Sequence, residues 1–93
     1  MNIFSILPIY VDKWQEKDIR AFDPEEIAAV ESAEVVMSSY GLSVCFMFKA
    51  GGQSYIPLDI NSTLNEGDTV DLTKAKIVTL SKTGQKDIFR VRI

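Results

Sequence analysis

The chain has no histidine and a single cysteine, Cys45. Neither a Ser/His nor a Cys/His nucleophile pair can be assembled without an imidazole base. Zinc would have to rest on one thiolate and carboxylates, a poor donor set for that ion. Carboxylates crowd one stretch instead: Asp59, Glu66, Asp68 and Asp71. Two of them could serve a hydrolase, or several a calcium ion, but DINSTLNEGD lacks the alternating spacing of an EF-hand loop. A solvated acidic loop accounts for them more simply. Gly51-Gly52 and Gly67-Asp68 match no phosphate-binding fingerprint and suit tight turns. The expectation is a non-catalytic protein with no cofactor, no metal and no small-molecule substrate.

Binding is the chemistry that remains, and it depends on how charge and aromatic residues are spread. The net charge is −3 over 93 residues. Residues 1–48 hold eight acids and three bases, residues 49–93 five acids and seven bases. The acidic total argues against a strongly electrostatic nucleic-acid binder, while the basic second half leaves room for phosphate contacts. Hydrophobic content of 46% with 25% charged residues is that of an ordinary globular domain rather than a disordered chain. The length admits one domain over residues 1–93, small enough for self-association to be a reasonable expectation. The opening MNIFSILPIYV has no basic leader, contains Pro8 and meets DKWQEKD at once, too short an apolar run to span a bilayer. A cytoplasmic protein is expected, in keeping with one unpaired cysteine.

The elements that would position a binding surface centre on EVVMSSYGLSVCFMFKAGGQSYIPL. This stretch reads as three strands, 34–39, 42–50 and 53–58, broken at Tyr40-Gly41 and Gly51-Gly52. Val44, Cys45, Phe46, Met47 and Phe48 follow one another, so the middle strand is apolar on both faces and belongs at the centre of a sheet. A two-residue turn at Gly51-Gly52 would set Phe48 opposite Tyr55, Met47 opposite Ile56 and Cys45 opposite Leu58. The result is an apolar outer patch of Met47, Ile56 and Leu58. Upstream, Asp23-Pro24-Glu25-Glu26 is a helix start, with an N-cap candidate, proline in the first turn and a capping-box glutamate. The helix is expected over about 24–32, seated on the face that carries Cys45 and Met47. Residues 2–11 read as an edge strand or extended arm and Trp14 to Phe22 as a loop or short strand.

Downstream, 59–68 is a polar loop with Leu64 as its anchor, and Gly67-Asp68 opens a short strand at 69–72. Residues 76–81 and 87–93 form a last hairpin. Centred on Thr83-Gly84, it sets Val78 opposite Phe89 and Ile77 opposite Arg90, with Phe89, Val91 and Ile93 inward and Ile88, Arg90 and Arg92 outward. Five or six short strands and one helix, without βαβ alternation, predict a mainly β fold. A small antiparallel barrel is its simplest form and an open sheet backed by the helix the alternative.

YGLSVCFMFKAGGQSYIPLD with LNEGDTVDLTKAKIVTLSKTGQKDIFRVRI resembles small proteins of phages and mobile elements of gut bacteria. More loosely it is similar to the oligonucleotide-binding (OB) barrels of phage single-stranded DNA-binding proteins. The likeness rests on Tyr40-Gly41, the apolar strand 42–48 and Gly67-Asp68. It covers 34–93, and the early helix departs from the position such barrels use. The resemblance implies sequence-tolerant binding of single-stranded DNA by outward bases and stacking aromatics. Arg90 and Arg92 then qualify by register, Lys82 and Lys86 flank a hairpin tip, Lys49 ends the other hairpin, and Trp14 and Tyr40 could stack. Bases on a last hairpin also guard an exposed edge, and Trp14 also suits the rim of a core. The competing function is a small interaction or virion-associated protein that meets a second copy or another chain through its apolar sheet face.

Overall fold

The computed structural model describes residues 13–60 and 62–93. The expectation for residues 2–11 lies outside these residues. In chain order the elements are β1 (Gln15–Ala21), α1 (Pro24–Ala29), β2 (Val30–Ser38), β3 (Gly41–Phe48), β4 (Gln53–Pro57), β5 (Lys76–Ser81) and β6 (Ile88–Arg92). The strands form two antiparallel three-stranded sheets, a central sheet in the order β2-β3-β4 and a flanking sheet in the order β1-β5-β6. They meet edge to edge at a parallel bridge between Leu58 and Val91, where the Asp59 amide donates to the Val91 carbonyl at 2.8 Å. The fold is mainly β, and no pairing among the described residues closes it into a barrel.

β3 takes the middle of the central sheet because both of its faces are apolar. Val44 and Phe46 point into the main core with Ala33, Val35 and Leu58, while Ser43 and Cys45 are buried on the reverse side. The core is completed from the flanking sheet by Ile77 and Val91 and from the connections by Phe22, Val70, Leu72 and Ala75. The Phe22 ring tilts against Phe46 with centroids 5.9 Å apart, a geometry that favours an aromatic pair beyond its buried area. Leu64 packs on this core, as its place in the polar loop suggested.

The helix is shorter than its start implied. Glu26 reaches back to the Asp23 amide at 2.8 Å and is held by both guanidinium nitrogens of Arg20, at 2.7 and 3.0 Å. After Ala29 the backbone turns extended at Val30, so β2 begins four residues before the strand expected at 34. Val30, a β-branched residue, gains more from pairing with Phe48 than from one further helical residue. Nor does the helix sit on Cys45 and Met47. Ile27 packs against the main core, on the opposite side of β3.

Both downstream registers also differ from expectation. Gly51, at φ +100°, ends a three-residue loop in which its amide donates to the Phe48 carbonyl and the Phe48 amide to Gly52. This is the hairpin form in which glycine follows a tight turn. It pairs Cys45 with Tyr55 and Val44 with Ile56. Ile56 therefore packs on the core and Leu58 is buried in it, so the outer patch of Met47, Ile56 and Leu58 does not exist. In the last hairpin Ile77 pairs with Val91, Val78 with Arg90 and Thr79 with Phe89, one residue away from the expected alignment. Such a slip exchanges the faces of one strand relative to the other. The expected strand at 69–72 reduces to a bridge between Thr69 and Glu34, with Val70 donating to the Ala33 carbonyl.

Candidate nucleic-acid interface

The turn between β2 and β3 and the beginning of β6 lie at the same end of the molecule. There Tyr40, Pro57, Asp87, Ile88, Phe89 and Arg90 line an open groove of about 450 Å³. Tyr40 stands in the two-residue connection before Gly41, whose φ of +93° lets β3 start directly opposite Ser38. The Ser38 hydroxyl accepts the Tyr40 amide at 3.2 Å and lies 2.8 Å from the Ser43 hydroxyl, which holds the turn against the strand it introduces. Tyr40 is 83% exposed and Phe89 49%. Phe89 shares a face with Ile77 and Val91, yet it stands toward the hairpin-tip end of β6, beyond the main core. Sequence reasoning placed Phe89 inward; its exposure makes it the aromatic residue that reasoning missed.

Arg90 donates to the Phe89 carbonyl at 2.9 Å, and no carboxylate pairs with it among the described residues. The other two arginines differ. Arg20 is bound to Glu26. Arg92, expected to point outward and bind, is held by Glu16 and by Asp59, the latter at 2.5 Å. Glu16 first, then Asp59, push its guanidinium still further toward the charged form. Its positive charge is spent inside the protein, joining β1, β6 and the segment after β4. Arg92 therefore leaves the candidate site as a structural residue.

Lys82 and Trp14 come together as well, with the ammonium 5.7 Å from the indole ring centroid, within cation–π range. They lie at the tip end of the flanking sheet, since Gln15 pairs with Ser81. Lys86 stands in the same hairpin tip. Between this pair and the groove runs the ion pair of Lys17 with Asp87, 2.8 Å long, in which the Asp87 hydrogen bond raises the lysine pKa. Lys49 is at the other end of β3 from Tyr40, roughly 24 Å away on strand rise, its amide bound to the Ala29 carbonyl. It cannot share a ligand strand segment with Tyr40 and Arg90 at close quarters.

Of the seven residues singled out from sequence, the fold thus gathers Trp14, Tyr40, Lys82, Lys86 and Arg90 at one end and separates Lys49 and Arg92 from them. Pro57, Asp87, Ile88 and Phe89 join only through tertiary structure. Among the described residues no group of acidic or cysteine side chains is arranged to hold a metal ion, and no helix is long and apolar enough to cross a membrane. Comparison with protein-family models, curated proteins and solved structures finds no match.

Proposed function

We propose that the chain binds single-stranded DNA with little regard to sequence, in the groove between Tyr40 and the start of β6. The carrying observation is Arg90, which has no carboxylate partner among the described residues and lines the same groove as the exposed Tyr40 and Phe89. Stacked bases and a nearby phosphate are what such a combination accommodates. Lys82 and Lys86 extend positive charge beyond it, and Trp14 offers a further ring. The same proposal takes the two joined sheets as an open relative of the OB barrel, in a cytoplasmic protein of phage or mobile-element origin. With a net charge of −3, the attraction is local to Arg90, Lys82 and Lys86, so binding should weaken with salt by an amount set by these few phosphate contacts.

Trp14, already in contact with Lys82, is the reporter. Titration with an oligo-dT at low salt should change its fluorescence, and moderate salt should weaken the response. Arg90→Glu combined with Tyr40→Ala should lower affinity at least about tenfold, the loss of one charge contact and one stacked base, without moving Tm. No fluorescence change with micromolar protein in low salt overturns the proposal. Met37, 59% exposed in the turn-proximal end of β2, adds apolar surface beside Tyr40, which favours a protein partner or second copy as the other reading. Concentration-dependent light scattering abolished by Phe89→Asp, with no response to DNA, would establish that reading instead.

A further inference from the structure

The groove contains one group that a purely sequence-tolerant site does not need. Asp87 lines it, three residues before Arg90. One carboxylate oxygen, Oδ2, accepts from the Lys17 ammonium at 2.8 Å; the other takes no donor among the described residues. A carboxylate beside a phosphate strand is repulsive unless it meets a donor on the ligand. The nucleobase that offers donors to a carboxylate on one edge and acceptors to a guanidinium on another is guanine. Its Watson–Crick edge presents N1–H and N2–H₂, and its Hoogsteen edge presents O6 and N7, the pair of acceptors that arginine reads best. Thymine offers a single N–H between two carbonyls; adenine and cytosine each offer a carboxylate one amino group, and neither gives a guanidinium two acceptors on a separate edge.

We infer that this groove prefers guanine at one position of the bound strand, with Asp87 facing the base's N1 and N2 donors, Arg90 its O6 and N7 acceptors, and Tyr40 or Phe89 its ring. Asp87 is then a specificity-determining residue in a site that is otherwise tolerant. Lys17 holds one of the Asp87 carboxylate oxygens, Oδ2, at 2.8 Å and so fixes the group at the edge of the groove. The inference rests on the single-strand binding proposed above, and its test separates the two.

The experiment is a competition against a labelled ten-nucleotide oligo-dT held by the intact chain, using unlabelled oligo-dT or the same oligomer with one internal guanine. The guanine oligomer should compete about five- to tenfold better, one good base-edge pairing. Asp87→Ala should bring that ratio to about one, read as the quotient of the two competitors' affinities for the same variant, so that any change in oligo-dT binding itself cancels. Equal competition by the two oligomers, or a preference that survives in Asp87→Ala, overturns the inference and leaves single-strand binding standing. Failure of the labelled oligo-dT to bind at all takes both down together.

Discussion

The central and flanking sheets solve the same problem with different means. In the central sheet β3 is apolar on both faces, and burial of Val44 and Phe46 against Ala33, Val35 and Phe22 holds the strands in place. In the flanking sheet β1 is exposed along its whole length and carries Glu16, Lys17, Asp18 and Arg20. Its propensity for a strand is low; pairing with β5 and ion pairs that reach Asp87 and Arg92 hold it. Charges on such an edge also discourage pairing with other chains, as does the irregularity that leaves Lys17 out of the ladder between Glu16 and Asp18. The lesson is a division of labour. The central sheet supplies the larger share of the buried apolar side chains, and the flanking sheet, which buries Ile77, Val78 and Val91, turns a charged edge strand and the start of β6 toward solvent.

That contrast can be broken most sharply with one pair of substitutions. Phe46→Ala empties a position only 3% exposed and should cost about 3–5 kcal/mol, a large part of the total stability of a domain this size. Phe89→Ala, in the flanking sheet, should cost well under about 1 kcal/mol. Urea denaturation of both variants checks this, and comparable losses would dissolve the distinction between the two sheets.

The next effect is on the joint between the sheets. Arg92→Ala releases Glu16 and Asp59 together and should lower Tm more than Arg90→Ala, whose guanidinium touches only a backbone carbonyl. Equal thermal shifts for the two arginines would show that the Arg92 clamp holds nothing.

The smallest effect sharpens the acid limit. Arg20, followed by the Asp23 amide, holds the Glu26 carboxyl at about 2, below its ordinary 4.5. A carboxyl depressed in the folded state contributes stability that is present above its unfolded pKa and lost as pH falls. The contribution should therefore fade between about pH 4.5 and pH 2. Solvent screening of this half-exposed pair trims it to about 1 kcal/mol. Glu26→Gln should flatten that part of the stability–pH curve, measured by chemical denaturation at stepped pH; an unchanged acid limb would mean the pair does not report on folding.

What could be read from sequence follows the same division. The uninterrupted run 44–48 announces a strand covered on both faces, and it is the middle strand. Asp23-Pro24 with Glu26 announces a helix, and one starts there. Turn positions are legible in Gly41, Gly51 and Gly84. Register is not, because the same glycines serve loops of two or three residues with equal chemistry; Gly51 closes a three-residue loop, and the strand beyond it shifts. Phe89 was misplaced for a different reason: it keeps the face of the buried Val91 but lies toward the hairpin tip, past the end of the core. Ion pairs were illegible for another reason. Arg92 and Glu16 are separated by nearly the whole chain, and no local pattern tells a base that binds a ligand from one that closes the fold.

The bridge from Leu58 to Val91 is an isolated one, with the Asp59 amide bound to the Val91 carbonyl beside it and Arg92 holding the Asp59 carboxylate. Whatever loosens the protein should part it there, along a seam between residues brought together late in any folding route because the intervening chain must be organised first. Amide exchange at Asp59 would then run ahead of exchange at Val35 or Val44, and the freshly bared rim of β6 would offer a template for pairing to a neighbour. Seen this way, the Arg92 clamp is a safeguard for solubility as much as for shape.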